Sequence, residues 1–252
     1  MNFYIDLFLR ITDLKMKTEN RRKQTILITG SNKGIGFETA RQLGLKGCRV
    51  IISGRDENRV AAALSRLKNE GIDAEMLVMD VSDHNNIREA AEEFSRFNSK
   101  LDALINNAGI VSRPDRSLLS DQPLLIEETV RVNSFGPLWV TREFIPYLNR
   151  PGRIINISSG GGSMSSEPGG WSPAYCVSKT LLNAITRQLA RELRPEQISV
   201  NAVSPGWVQT DMGGRYAPGT VEKGAQTPVW LATEAPLELT GKFIRDKEPI
   251  PW

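Results

Sequence analysis

The chain has few of the residues that build metal sites, disulfide frameworks and histidine-based catalytic centres. Its 252 residues include two cysteines and one histidine. Cys48 and Cys176 cannot form a disulfide framework, and no Cys-x-x-Cys or Cys/His cluster is available to hold zinc. The single histidine, His84, excludes a histidine-based triad or a multi-histidine metal site within one chain. We therefore predict an activity that needs no bound metal.

Long apolar runs and a marked excess of charge are also missing. No run approaches the roughly 18 apolar residues that a membrane-spanning helix needs, so we expect a soluble, cytoplasmic protein. The 32 basic and 29 acidic residues give a net charge of +3. Residues 1–23 carry this whole excess, and residues 24–252 balance at 26 against 26. A neutral body offers no broad phosphate-binding face, which argues against nucleic acid as a partner.

Residues 1–23 are interpreted as an N-terminal extension. Apolar side chains recur there at helical spacing, but Asp6 and Arg10 interrupt them, which makes a poor signal peptide. A short amphipathic helix followed by basic residues could lie on an anionic membrane. We favour a docked or disordered leader, or an upstream start codon, since Met16 would itself make an ordinary beginning. Membrane binding is not expected.

From residue 24 onward, short β-branched apolar runs alternate with helical stretches, without a linker or a composition break. This alternation predicts one α/β domain at 24–252, with a Rossmann-type doubly wound parallel sheet of about seven strands and helices on both faces. The predicted strands are 25–29, 49–53, 74–79, 101–105, 153–157 and 198–203, with a weaker strand at 242–245. The predicted helices are about 35–46, 57–70, 84–97, one within 123–149, and 175–194.

A glycine-rich turn joins the first predicted strand to the first helix. Residues 29–36 read Thr-Gly-Ser-Asn-Lys-Gly-Ile-Gly. Glycines permit positive φ and let the backbone approach a pyrophosphate, while the helix N-terminus offers free N–H groups. Glycines also serve ordinary tight turns, so the motif alone is weak. Its position at the first βα junction of an alternating chain predicts dinucleotide binding.

The spacing of these glycines, with motifs further along, resembles the short-chain dehydrogenase/reductase family over about residues 24–252. The matching elements are Thr29-Gly30-x-x-x-Gly34-x-Gly36, Asn106-Asn107-Ala108-Gly109, Asn133, Ser158-Ser159, Tyr175-x-x-x-Lys179 and Pro205-Gly206 with Thr210. They occur in the family's order and at the expected junctions. Segments 205–212 and 222–229, and Gly241-Lys242-Phe243 ahead of Trp252, resemble the carbonyl reductase branch of that family.

The resemblance implies the catalytic set Asn133, Ser159, Tyr175 and Lys179. Tyr175 would be the acid/base, and Lys179 would tune it and bind the nicotinamide ribose. A cation beside a phenol favours the phenolate and lowers a pKa that is ordinarily near 10. Ser159 would orient the substrate oxygen, since alternation along the strand points Ser158 the other way. Asn133 would hold a water in the proton relay, satisfy backbone groups, or do both.

The end of the second strand bears on the choice of dinucleotide. An acid there would accept the ribose 2′-OH, whereas an arginine accommodates a 2′-phosphate. Arg55 stands there and Lys33 could reach the same phosphate, which predicts NADP(H). Alternatively both are solvated charges and Asp56 binds the 2′-OH, but Asp56 is expected to cap the following helix. The predicted cofactor contacts are Gly30, Asn32, Lys33, Gly34, Ile35, Gly36, Arg55, Asp80, Val81, Asn107, Ala108, Gly109, Tyr175, Lys179, Pro205, Gly206, Val208 and Thr210.

Two loops are expected to line the substrate site: 160–174, with Trp171 and Met164 as apolar walls, and 211–221, which would close over the substrate. The resemblance implies an NADPH-dependent reductase that transfers hydride to a ketone, aldehyde or quinone. The alternative is a noncatalytic NADP-binding sensor or signalling protein on the same fold. Animal carbonyl reductases carry a long insertion that blocks oligomer packing. This chain lacks it, so a homodimer or homotetramer through the fourth and fifth helices stays open.

Overall fold

A single eight-stranded sheet forms the centre of the part that the structure, a computed structural model, describes: residues 22–97, 99–119 and 123–252. Most of the predicted N-terminal extension lies outside these residues. The strands are β1 (Thr25–Ile28), β2 (Arg49–Gly54), β3 (Ala74–Val78), β4 (Leu101–Asn106), β5 (Leu148–Ile157), β6 (Ile198–Val203), β7 (Phe243–Arg245) and β8 (Glu248–Ile250). Their order in the sheet is β3-β2-β1-β4-β5-β6-β7-β8. All neighbours are parallel except the antiparallel pair β7 and β8.

Helices cover both faces of this sheet, as the alternating pattern predicts. They are α1 (Gly34–Leu45), α2 (Glu57–Asn69), α3 (His84–Ser95), α4 (Pro123–Val130), α5 (Gly136–Phe144), α6 (Pro173–Glu192) and α7 (Val221–Thr233). A π-helical turn, Arg131–Phe135, joins α4 to α5. None of the helices that the structure describes is long and apolar enough to cross a membrane.

The sheet separates two apolar cores, and strand β1 shows how the sequence builds both. Ile26 and Ile28 contribute to the core on one face, while Leu27, between them, contributes to the core on the other. All three side chains are fully buried. Successive side chains of a strand point to opposite faces, so a central strand needs an apolar residue at every position. This explains the continuous run of β-branched and aliphatic residues.

The predicted elements are confirmed to within a few residues, with three differences. Strand β5 begins at Leu148, earlier than predicted, after a helix that the π turn has divided. Helix α7 was not predicted; Pro228 lies inside it, and proline usually argues against a helix interior. Strand β8 was also missed, because three residues that include Pro249 give almost no periodic signal.

Strand β1 lies between β2 and β4, so the direction of chain progression reverses at this point of the sheet. Ligands of doubly wound sheets bind in the crevice beyond the carboxyl ends of strands at such a reversal. The segments that begin at Thr29, Asn107 and Ser158 follow the carboxyl ends of β1, β4 and β5. The fold therefore gathers the predicted motifs at one edge of the sheet.

Candidate active site

The glycine-rich turn lies directly against the loop that follows β4. A Cβ atom on Gly30 would lie 2.7 Å from the Cα of Ala108, and one on Gly36 would lie 2.3 Å from Nδ2 of Asn107. Gly30 also has a φ of +61°, which disfavours any other residue. The structure thus brings together two motifs that are separated by about seventy residues, and only glycine fits the contact between them.

Hydrogen bonds hold this contact in place. The Asn107 side chain donates to the carbonyl oxygens of Thr29 and Gly30, both at 2.9 Å. In return the Thr29 hydroxyl accepts from the backbone N–H groups of Asn107 and Ala108 at 3.0 Å. Asn107 therefore supports the turn from behind, so its side chain is occupied in holding the cradle.

The start of α1 has the character of an anion site. Lys33 occupies the N-cap position with extended backbone, and no side chain caps the helix. No acidic residue lies in the first turn. The N–H groups of the first turn and the helix dipole together favour a negatively charged group at this point. Thr210 lies beside the same turn, with its methyl group 3.4 Å from where a Cβ of Gly34 would be.

The end of β2 carries exposed charge, as predicted for a 2′-phosphate site. Arg55 is exposed, and none of the hydrogen bonds of the described side chains engages it. Asp56 accepts the backbone N–H of Arg59 at 3.1 Å and is the N-cap of α2, which confirms the prediction for this residue. Lys33 instead forms an ion pair with Asp211 at 2.6 Å, which links the glycine-rich turn to the segment after Thr210.

Asp80 and Val81 follow β3, where the sequence predicts an adenine contact. The Asp80 carboxylate accepts from the backbone N–H and the hydroxyl of Ser82 at 2.9 and 2.7 Å, so one oxygen serves a local turn. Val81 is buried, and its carbonyl lies 2.8 Å from where a Cβ of Gly136 would be. The Val81 segment is thereby held against the start of α5.

Tyr175, in the first turn of α6, faces the end of β5. It is 7% exposed, and the Ser159 side chain is close enough to lower the pKa of its phenol. The indole of Trp171 lies 5.6 Å from the phenol ring, centroid to centroid, so this part of the 160–174 loop contacts the tyrosine. Met164 is largely exposed. Ser158 points away and donates to the side chain of Asn183 at 2.7 Å, as strand alternation predicts.

Lys179 lies one turn further along α6, beneath the same ring. Its Nζ is 5.7 Å from the centroid of the Tyr175 ring and donates to the carbonyl of Ile157 at 2.8 Å. Burial lowers the pKa of Lys179 to about 8, because a desolvated ammonium is disfavoured. The side chain is 3% exposed. Such a large shift in the pKa of a lysine is unusual in proteins, and groups with shifted pKa values cluster at functional sites.

The pKa of Tyr175 departs from the expected direction. Burial raises it to about 12, while the hydrogen bond with Ser159 lowers it and the nearby Cys176 raises it slightly. In the chain without cofactor the pKa of Tyr175 is therefore raised, and the lowering expected from Lys179 together with oxidised nicotinamide stays a prediction for the cofactor-bound protein. The physical reason is that Lys179 lies under the ring, with its Nζ bonded to Ile157, so desolvation of the phenolate outweighs the distant positive charge.

Asn133 lies in the π-helical turn between α4 and α5 and is fully buried. Its oxygen accepts the backbone N–H of Ile110 at 2.8 Å, and its amide donates to the carbonyl of Ile110 at 2.9 Å and the hydroxyl of Ser178 at 3.0 Å. It therefore satisfies backbone groups, one of the two roles left open. Such π turns often occur at functional sites. Here the turn presents Asn133 towards both the β4 loop and α6.

Two contacts of the site gave no sequence signal of their own. Thr29 anchors the β4 loop through its hydroxyl, although it reads as the last residue of a strand. Asp115 is buried and accepts the backbone N–H groups of Ala174 and Tyr175 at 3.0 and 3.1 Å. No spacing pattern predicts a contact between side chain and backbone across 59 positions.

The predicted catalytic and cofactor segments thus converge on one crevice of a Rossmann-type sheet, at the position where doubly wound sheets bind dinucleotides. The family model described as "short chain dehydrogenase" matches residues 24–220. The chain belongs to the short-chain dehydrogenase/reductase family. Mouse carbonyl reductase [NADPH] 3 is 34% identical, over 90% of this chain and 97% of that protein.

Two further comparisons extend the likeness to another activity and to a solved structure. (+)-Neomenthol dehydrogenase from Arabidopsis thaliana is 33% identical, over 82% of this chain and 90% of that protein. The crystal structure of NADPH-bound carbonyl reductase from chicken fatty liver superposes with a TM-score of 0.81 at 28% identity, covering 92% of this chain and all of that one. The resemblance to the carbonyl reductase branch is confirmed.

Proposed function

We propose that the protein is an NADPH-dependent reductase that transfers hydride to the carbonyl group of a ketone, aldehyde or quinone, with Tyr175 as the acid. The observation that carries the proposal is the convergence of Ser159, Tyr175 and Lys179 beside the glycine-rich cradle. Relatives with 32–34% identity over 90% of the chain are NADPH carbonyl reductases. The chain is an oxidoreductase acting between CH–OH and C=O groups.

The residues present fit NADP(H) as the cofactor. Glycine at positions 30 and 36 lets the turn pack directly against the β4 loop, where a Cβ would clash, and the uncapped start of α1 suits a pyrophosphate. Arg55 is exposed at the end of β2 and would bind a 2′-phosphate as a bidentate partner. Asp56, the acid nearest to that position, is engaged as the cap of α2. When bound, NADPH supplies the hydride.

The mechanism assigns one task to each side chain. The Ser159 hydroxyl donates a hydrogen bond to the substrate carbonyl oxygen and holds it beside the phenol. Tyr175 gives its proton to that oxygen as negative charge develops there. The Lys179 ammonium stabilises the resulting phenolate, which its burial makes more effective than it would be in water. Asn133 fixes the β4 loop against α6 so that these groups keep their positions.

The test is NADPH oxidation with acetophenone, benzaldehyde and 1,4-naphthoquinone as ketone, aldehyde and quinone. The Tyr175→Phe variant should lose at least ~1000-fold in kcat, since it removes the only group assigned to proton transfer, while its NADPH dissociation constant stays within about twofold. Tryptophan-to-NADPH energy transfer measures that binding. Turnover retained by Tyr175→Phe would refute the assignment.

A matched pair of adjacent serines separates substrate orientation from simple packing. Ser159→Ala should lower kcat/KM by about 100-fold, a typical loss for one preorganised donor. Ser158→Ala removes a hydroxyl that bonds Asn183, so it should lower stability and leave kcat/KM within a fewfold. The reverse ranking of the two variants would assign the substrate oxygen to Ser158 and contradict the proposal.

A further inference from the structure

Helix α6 carries both Tyr175 and Lys179, and its beginning is unusual. The residue before it, Ser172, has a φ of +40°, in the left-handed region, and its side chain makes no capping hydrogen bond. A helix normally takes its cap from the residue at this position. Pro173 starts the helix and has no N–H, so the first amide that needs an acceptor belongs to Ala174.

The missing acceptors come from a distant loop. One oxygen of Asp115 accepts the N–H of Ala174 at 3.0 Å, and the other accepts the N–H of Tyr175 at 3.1 Å. The next amide, of Cys176, bonds to the carbonyl of Ser172 and begins the helical ladder. Every N–H of the first turn is therefore accounted for, and two of them depend on one carboxylate.

Asp115 is 3% exposed, which is costly for a carboxylate unless its charge is compensated. It takes part in none of the ion pairs formed by the residues that the structure describes. What faces it is the positive end of the twenty-residue helix α6 together with the two N–H groups. The carboxylate and the start of the helix thus stabilise each other.

This contact fixes the tyrosine in particular. The backbone N–H of Tyr175 is one of the two donors, so the cap acts at the residue whose phenol faces Ser159. The loop that carries Asp115 follows β4, and Ile110 in that loop is bound by Asn133, which also bonds Ser178 of α6. The β4 loop is therefore attached to α6 at two points, directly at Tyr175 and, through Asn133, at Ser178 one turn further on.

We propose that Asp115 is a positioning residue for the reaction: its buried carboxylate caps α6 from the β4 loop and sets the place of Tyr175 relative to Ser159. The proposal rests on the proposed role of Tyr175. It couples the loop beside the cofactor cradle to the catalytic tyrosine through backbone atoms. A carboxylate is required because both oxygens must accept, which asparagine and serine cannot reproduce.

The test uses Asp115→Asn and Asp115→Ala in the full chain, with Asp83→Ala as the matched control. Asp83 also accepts two backbone N–H groups, of Asn85 and Asn86 at the start of α3, far along the sheet from Tyr175. The Asp115 variants should lose about 10- to 100-fold in kcat, because a small misplacement of a reacting group has effects of this size. Their KM for the carbonyl substrate and their NADPH dissociation constant should stay within about twofold.

Thermal unfolding separates positioning from loss of fold. Asp83→Ala should lower Tm yet keep kcat within twofold of the wild type, whereas Asp115→Asn should lower kcat while remaining folded at the assay temperature. Unchanged kcat in folded Asp115→Asn, or an equal loss of kcat in Asp83→Ala, would overturn the proposal. Full turnover by Tyr175→Phe would instead overturn the proposed function, whatever the Asp115 variants do.

Discussion

Replacing Lys179 by methionine should make the protein more stable and inactive. Burial lowers the pKa of this lysine from 10.5 to about 8, which corresponds to a cost of about 3 kcal/mol for holding the ammonium in the folded state at neutral pH. Methionine has a similar length and carries no charge. The substitution leaves the carbonyl of Ile157 without its donor, a loss of about 1–2 kcal/mol. The free energy of unfolding of Lys179→Met should therefore exceed that of the wild type by about 1–2 kcal/mol at pH 6.5.

The dependence on pH identifies the cause. The unfolded chain binds the lysine proton more tightly, so between the folded pKa of about 8 and the unfolded value of 10.5 the wild type gains stability as pH rises. Lys179→Met lacks this gain. Its advantage should therefore shrink by about 2 kcal/mol between pH 6.5 and 9.5. Above pH 10.5 the ionisation of the lysine contributes nothing.

Urea unfolding of both proteins at pH 6.5 and 9.5, followed by circular dichroism, gives the free energy of unfolding of each. The measured quantity is how much the difference between variant and wild type changes with pH. Groups other than Lys179 titrate in both proteins and cancel. A difference in free energy of unfolding that is the same at the two pH values would refute the reasoning, because the lysine would then hold no proton-dependent cost. Loss of NADPH oxidation in the stabilised variant is the expected second readout.

Three further predictions concern binding and support of the site. Arg55→Ala should raise the NADPH dissociation constant by about 10- to 100-fold and leave that of NADH within twofold, because it removes charge-assisted bonds to the 2′-phosphate; fluorescence titration measures both. Asn133→Ala should cost about 1–3 kcal/mol in urea unfolding, because two part-buried backbone groups of Ile110 lose their partners. Asp211→Asn should release Lys33 and tighten NADPH by less than about threefold, since exposed ion pairs are weak.

Most of the fold could be predicted because its signals are local. A buried strand such as β1 must be apolar at every position, and a helix such as α2 needs a capping residue like Asp56 and an apolar stripe. Each of these features lies within about fifteen residues. Helix α7 was missed for the same reason, since Pro228 is a local signal against a helix and tertiary packing overrides it.

The site could be predicted in its residues but not in its energetics. The motif around Tyr175 and Lys179 identifies both side chains, yet nothing in the spacing says that Lys179 bonds Ile157 and lies beneath the phenol ring. The direction of the pKa of Tyr175 depends on that placement and on burial by other segments. Desolvation is a property of the assembled fold, so a motif cannot predict it.

Three polar side chains hold the site together through hydrogen bonds to backbone N–H groups. Thr29, Asp115 and Asn133 each bond backbone N–H groups of the β4 loop or of α6. Backbone donors have fixed positions once the helices and strands have formed. A side chain that bonds such a donor therefore holds one segment of the backbone at a defined place relative to another. A site assembled in this way should lose catalytic geometry before it loses cofactor affinity when Asp115 or Asn133 is replaced.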